Sequence, residues 1–346
     1  MNPSFIASLP KAELHVHLDG SLRPETMFEL AKDAGISMPA NTPEALADHM
    51  RADSDANLEQ YLSRFALTLS VMQTEDQLER IAYELALDHA AQNVRYVEVR
   101  YSPILNTEGG LTLEQALEAP LRGLARARKE TGIRSAVIVC ALRHLKADVS
   151  NRLAEVAVDF RDHGVVAFDL AAGEAGNPPR NHAEAFRIAA AGDLSRTVHA
   201  GEAWGPESIR EAIANCGAHR IGHGTRLQED PRLEAYVCDH QIPLEVCLTS
   251  NVQTGVAADY ASHPVRRYFD LGIPVTLCTD NTLISGTTLN REFALAAEHL
   301  GFTESELADL ARTGFEAAFL PFPEKVEMLD DFDAEVEELM DSYPKE

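Results

Sequence analysis

The spacing of apolar residues changes period repeatedly along the chain, and each change marks an element. In Lys11-Ala-Glu-Leu-His-Val-His-Leu-Asp-Gly-Ser21, Leu14, Val16 and Leu18 fall on one side and His15, His17 and Asp19 on the other. That is the period of a strand. Gly20 ends it, and Pro24 beside Glu25 opens a helix over 24–34. Residues 40–56 are polar and broken and read as a connection. From Leu58 to Met72 a stripe at helical spacing includes Leu58, Leu62, Phe65 and Leu69, and a further helix covers 75–93. Arg95–Pro103 reads as a strand by its β-branched and aromatic alternation. The next helix, 113–131, stops at Gly132. The nearly continuous apolar run Ser135–Leu142 reads as a parallel strand buried on both faces.

The alternation then continues. Helix 150–163 ends at Gly164, strand 165–170 runs into the small-residue turn 171–176, and helix 181–192 precedes strand 196–200. Helix 206–216, strand 219–222, helix 229–239, strand 242–248, helix 264–271 and strand 274–279 follow, and from about Asn290 the tail is helical and acidic. Eight strands alternating with helices predict an α/β fold, a closed parallel (β/α)8 barrel of the TIM type, with extra helices after strand 1 and at the C-terminus. A length of 346 residues suits one such domain over 1–346, since no repeat, low-complexity tract or linker divides the chain.

Composition narrows the setting. Hydrophobic residues make up 45% of the chain, enough for a large core, yet no apolar run reaches a membrane span and the N-terminus lacks a basic, apolar leader. The five cysteines, Cys140, Cys216, Cys238, Cys247 and Cys278, are odd in number and form no Cys-x-x-Cys, which reads as free thiols in a reducing compartment. A soluble, cytoplasmic protein is expected. The net charge of −25 argues against nucleic acid or an anionic membrane as partner, and leaves oligomeric state open. Lysine is scarce (only 11, 32, 129, 146, 325 and 345), so the acidic surface fits adaptation to high salt, with an acidic protein of ordinary habitat as the alternative. Stability should then rise as salt approaches molar concentration; a falling melting temperature sinks the idea.

In a barrel of this type, function belongs at the C-terminal ends of the strands. Polar residues collect there. Strand 1 ends in His15-Val-His17-Leu-Asp19, strand 5 in His199-Ala-Gly-Glu202, strand 6 in Gly222-His223-Gly224 and strand 8 in Thr279-Asp280-Asn281. An isolated His-x-His is an ordinary pair of strand histidines. Three imidazoles and one carboxylate (His15, His17, His199, Asp280) at the same rim make a nitrogen-rich set suited to one Zn2+. Zinc would activate water near neutral pH. His223 is placed to orient that water or hold its charge, and Glu202 to protonate a substrate if burial raises its pKa. Binuclear barrels that bridge two metals with a carboxylated lysine are disfavoured, because no lysine lies between Lys146 and Lys325.

With these residues in place the chain closely resembles the adenosine deaminase family. The matching motifs are Leu9-Pro-Lys-Ala-Glu-Leu-His-Val-His-Leu-Asp-Gly20, Arg80-Ile-Ala-Tyr-Glu84, Tyr96-Val-Glu-Val-Arg-Tyr-Ser-Pro103, His199-Ala-Gly-Glu202, Arg220-Ile-Gly-His-Gly224, Cys247-Leu-Thr-Ser-Asn251 and Thr279-Asp280. They run in the family's order from residue 9 to about 290. The resemblance implies one zinc on His15, His17, His199 and Asp280, with activated water attacking C6 of a purine. Glu202 would protonate N1, and His223 and Asp280 would position the water and stabilise its charge. Adenosine and 2′-deoxyadenosine would lose ammonia to give inosine and its deoxy form, as in purine salvage.

The resemblance also names substrate contacts. His17 and Asp19 lie at the ribose end, with Asp19 matching a residue that contacts the 5′-hydroxyl. Adenine deaminases that resemble the family tend to carry Glu there, so Asp19 favours a nucleoside over a free base. Leu58, Tyr61, Leu62 and Phe65 match the helix that caps the family's pocket; a plain barrel-covering helix is the other reading. Two positions depart. Asn281 replaces a second Asp that contacts purine N7, and its amide can donate there without first being protonated. Ala172, followed by Gly173, stands where the family has a Gly whose backbone contacts N3. These departures keep open a second enzyme reading, a deaminase of aminodeoxyfutalosine or adenine. A non-catalytic relative should lack a ligand or the acid, and none is missing. The Cys-ligand signature of nucleic-acid deaminases is absent.

Overall fold

The computed structural model describes residues 3–52, 61, 62 and 64–342. Eight parallel strands lie in chain order: β1 Lys11–His17, β2 Val94–Tyr101, β3 Arg134–Leu142, β4 Val165–Ala171, β5 Ser195–Ala200, β6 Arg220–His223, β7 Leu244–Val246 and β8 Val275–Leu277. The ring closes through a single bridge between Val16 and Asp280. There the His17 N–H donates to the Asp280 carbonyl at 2.7 Å, and the Asp280 N–H to the His15 carbonyl at 2.8 Å. Helices cover the outside, and the helix Glu304–Ala317 packs across β1 and β8.

The alternation that predicts these strands holds, but the inner face of the barrel is charged rather than apolar. Glu98, Arg100, Asp169, Arg220 and Glu245 are all buried inside it. Each finds an opposite charge: Arg220 reaches Glu98 at 2.5 Å and Glu245 at 2.7 Å, and Arg100 reaches Glu245 at 2.8 Å and Asp169 at 3.1 Å. Buried charge is tolerable only when paired and hydrogen-bonded in this way.

Several element boundaries differ from the sequence expectation. The strand-1 alternation runs to Asp19, but β1 stops at His17 and Leu18–Gly20 form a 3-10 turn. Asp19 therefore sits in a turn and not on the strand face. Gly20 is required there, since a Cβ on it would fall 1.6 Å from Asn281 Oδ1. The expected connection 40–56 contains a helix, Pro43–Met50, which buries Leu46 and Met50. Its signals were Thr42, whose hydroxyl accepts from the Ala45 N–H, and Pro43 in the first turn. The stripe 58–72 gives a helix over Phe65–Leu69, with Tyr61 and Leu62 also helical, whereas Leu58 lies outside the described residues. The end of the expected strand 242–248 becomes the start of a helix, Leu248–Gln253. The acidic tail resolves into three helices, Leu289–Leu300, Glu304–Ala317 and Phe322–Ser342, and an unexpected short helix, Pro3–Ser8, precedes β1. Among the described residues no helix is long and apolar enough to cross a membrane.

Candidate active site

Polar groups converge at the C-terminal rim. Donor atoms of His15, His199, His223 and Asp280 all lie within 4.8 Å of one another. His17 joins them, its Nε2 lying 3.0 Å from His199 Nε2 and 3.5 Å from Asp280 Oδ1. His15 Nε2 is also 3.5 Å from that oxygen. The set is compatible with a metal site, and the next question is which imidazoles offer a lone pair.

Their far-side partners decide this. His15 Nδ1 is 2.8 Å from Glu245 Oε2, and His199 Nδ1 is 2.9 Å from Asp169 Oδ2. A carboxylate accepts and cannot donate, so both Nδ1 atoms carry hydrogen and both Nε2 atoms face the rim with free lone pairs. His15 Nε2 is buried with no hydrogen-bond partner among the described residues, as suits a nitrogen that could ligate a cation. His223 is the reverse. Its Nδ1 lies 3.1 Å from the Asn251 amide nitrogen, while Asn251 Oδ1 receives Thr225 Oγ1 at 2.9 Å and pairs with His263 Nε2 at 3.1 Å. The amide orientation is thereby fixed, and His223 accepts at Nδ1 and presents Nε2–H to the site. A protonated nitrogen is a donor and no ligand. His15, His199 and Asp280 therefore fit a cation, His17 Nε2 lies beside them, and His223 fits a hydrogen-bonding role.

Electrostatics agree. Burial holds His17, His199 and His223 below the ordinary imidazole pKa, so they stay neutral. Burial and Arg100 lower His15 too, but the neighbouring carboxylates of Asp280 and Glu245 overcome both and raise it. Burial opposes ionisation of Asp280, yet the adjacent imidazoles, His15 first and then His223 and His17, hold its carboxyl well below the usual range. Its Oδ2 also accepts from Ser250 Oγ at 2.6 Å.

Glu202 behaves oppositely. Burial, then the charges of Asp280 and Glu174, push its carboxyl well above the usual range. Its Oε2 lies 3.8 Å from His223 Nε2. The loop that carries it is tied to Glu174, whose buried carboxylate accepts three backbone N–H groups: Gly201 at 2.7 Å, Glu202 at 3.0 Å and Trp204 at 2.8 Å.

A cavity opens on these groups, lined by His17, Tyr61, Leu62, Phe65, Ala172, His199, Glu202, His223, Asp280 and Asn281, among others. The fold thus brings together most of the residues singled out in the sequence. Ala172 reaches the cavity with φ +74°, whereas Gly173 does not line it. Asp19 stands aside, buried, with Oδ1 4.0 Å from His17 Nδ1 and its carboxyl pushed up to about 7 by burial. Sequence reading missed Asp169, Glu174, Glu245, Ser250 and Asn251. For Asp169 and Glu245 one sign was available, a lone acid inside an otherwise apolar strand (Phe-Asp-Leu, Leu-Glu-Val).

Comparison with known proteins follows the same line. The family model described as adenosine deaminase matches residues 10–335. The adenosine deaminase of Mycobacteroides abscessus is 42% identical over 344 residues, covering 94% of each chain. Among solved structures, an adenine deaminase from Arthrobacter aurescens superposes with a TM-score of 0.89 at 28% identity, covering 95% of this chain and 99% of the other. An amidohydrolase from Burkholderia ambifaria with bound Zn gives 0.89 at 25% identity, covering 98% and 95%.

Proposed function

This chain belongs to the adenosine deaminase family, and on that premise we propose that it hydrolyses adenosine and 2′-deoxyadenosine to the 6-oxo nucleosides and ammonia, using one zinc ion per chain. One observation carries the reading: His15, His199 and Asp280 converge, with His17 Nε2 alongside, next to a buried acid, Glu202, and a hydrogen-donating His223. His15, His17, His199 and Asp280 would hold the zinc. When bound, zinc lowers the pKa of water and supplies the nucleophile at neutral pH.

The protein's own groups do the rest. Glu202, kept protonated by burial, donates to purine N1 and draws electron density from C6. His223 Nε2–H and the Asp280 carboxylate orient the water, whose oxygen bonds to C6 as one of its protons passes to Asp280. That proton goes on to the 6-amino group and the remaining O–H proton restores Glu202 as the C6–N bond breaks, so ammonia leaves and the 6-oxo purine remains with hydrogen on N1. The second N–H of the Asn281 amide donates to N7, the Ala172 backbone meets N3, and Asp19 beside His17 faces the ribose 5′-hydroxyl. The cavity measures about 40 Å³, room for water, and the half-buried Leu62 and Phe65 are among the side chains that line it. We read residues 1–346 as one barrel domain acting in cytoplasmic purine salvage, which the five free cysteines support.

The test is ammonia release by the purified zinc-loaded chain from adenosine, 2′-deoxyadenosine, adenine, AMP and aminodeoxyfutalosine. The two plain nucleosides should dominate. Preference for adenine or aminodeoxyfutalosine would favour the second reading, which rests on Asn281 and Ala172 and on the likeness to an adenine deaminase at 28% identity. The 42% match to an adenosine deaminase and the carboxylate of Asp19, rather than the longer Glu, weigh against it.

A further inference from the structure

Asn281 and Tyr61 both line the cavity, and they touch. Asn281 Nδ2 donates to the Tyr61 hydroxyl at 2.8 Å, and that hydroxyl pairs with Ser285 Oγ at 2.7 Å. All three side chains are buried, Tyr61 and Ser285 at 2% exposure and Asn281 at 1%. The other end of the amide is packed against Gly20, close enough that a Cβ there would overlap Oδ1, and Oδ1 has no hydrogen-bond partner among the described residues.

This arrangement solves a problem peculiar to an amide. A carboxyl at this position needs a proton before it can donate to a ring nitrogen. An amide always has N–H groups, but its two ends are nearly the same shape, and a half-turn replaces the donor with an acceptor. An acceptor facing the lone pair of N7 would repel it. Something must therefore select the face. Ser285 cannot do so directly, because its hydroxyl bonds Tyr61 and not the Asn281 side chain. A buried carbonyl oxygen without a partner costs about 1–3 kcal/mol, so an amide left to itself would turn to relieve it. Tyr61 opposes that turn when its own hydrogen goes to Ser285 Oγ: its oxygen is then left only to accept, and a turned amide would set Oδ1 against it.

We propose that Tyr61 is a positioning residue for base recognition: its hydroxyl, donating to Ser285 Oγ and so left to accept from Asn281 Nδ2, holds the amide so that a second N–H faces N7 of a bound purine. The proposal rests on the purine reading above and adds to it the group that sets donor against acceptor. Ligands with an acceptor at ring position 7 are then preferred over those with a C–H there, and the preference depends on a hydroxyl that does not itself touch N7.

The experiment uses the zinc-loaded full chain and two ligands, adenosine and 7-deazaadenosine, in which C–H replaces N7. The KM for adenosine and the apparent Ki of 7-deazaadenosine against it are measured in wild type and in Tyr61→Phe. The variant should raise the adenosine KM about tenfold, the loss of one hydrogen bond, with kcat changed less than threefold. The 7-deazaadenosine Ki should stay within twofold. Equal weakening of both ligands would make Tyr61 a mere wall of the pocket and overturn the proposal, as would no change in either. Should Tyr61→Phe fail to fold or bind zinc, Ser285→Ala leaves the tyrosine ring in place, and it should show the same selective loss at about threefold. Wild-type turnover of adenosine tests the purine reading separately; without it, the assignment of Tyr61 falls too. With it, only the ratio of the two ligands decides.

Discussion

Asp280 touches His15 twice: its backbone N–H donates to the His15 carbonyl at 2.8 Å, and its Oδ1 lies 3.5 Å from the His15 Nε2. One residue thus closes the barrel and faces the candidate metal position. Its backbone is left-handed, with φ +61°, and so is that of His223, with φ +63°. Non-glycine residues held there carry strain of order 1–3 kcal/mol, and such strain persists only where surrounding contacts enforce it. In Asp280 the enforcement comes from the same two backbone hydrogen bonds that seal β8 to β1.

Asp280→Asn separates these duties. The backbone closure and side-chain volume remain, while the anionic ligand is lost. The variant should keep the circular dichroism of the wild type and bind zinc at least about 100-fold more weakly. Stoichiometric zinc after dialysis would remove Asp280 from the ligand set.

Glu202 should govern the alkaline side of the activity profile. Its carboxyl is raised above the ordinary range by burial, and then by the charges of Asp280 and Glu174. The protonated form is the active one, so activity is full below the raised pKa and is lost as pH climbs through it. Glu202→Gln should retain zinc, lose about 1,000-fold in kcat and show no such alkaline limb in its residual activity. A variant with wild-type turnover at any pH would refute the role.

The loop that carries this acid depends on Glu174. Glu174→Ala leaves the Gly201, Glu202 and Trp204 N–H groups without their shared acceptor. About a 100-fold loss in kcat is expected with zinc retained, because a displacement of about 1 Å near the reacting groups has that effect. Trp204 is the only tryptophan in the chain, so its fluorescence reports the loop directly. An unchanged emission spectrum together with normal kcat would show that the loop holds without Glu174.

Ala172 offers a change in the favourable direction. It occupies φ +74°, a conformation that disfavours a Cβ by about 1–2 kcal/mol. Ala172→Gly removes that strain but adds freedom to the unfolded chain, about 0.4–1 kcal/mol in opposition. A net gain of up to about 1 kcal/mol is expected, seen as a melting temperature higher by about 1–2 °C. A lower melting temperature would mean that the methyl contributes packing at the cavity wall.

The sequence alone determined the barrel, the chain order of its strands and the residues at the rim. Strand alternation, apolar runs and glycine stops are local signals, written over a few residues, and His15, His17, His199, Glu202, His223 and Asp280 stand at strand ends that those signals locate. The short helix Pro43–Met50 was legible too, in Thr42 and Pro43, but its polar setting masked it. Tertiary structure decided which nitrogen of each imidazole faces the site. That choice is made by hydrogen bonds from other elements: Glu245 on His15 across 230 positions of sequence, Asp169 on His199 across 30, Asn251 on His223 across 28. It also decided the charged interior, the double role of Asp280 and the contact of Tyr61 with Asn281 across 220 positions. Periodicity says which face of a strand a side chain takes; a proton's place on a ring depends on the partner at the far side, and only the closed barrel supplies one.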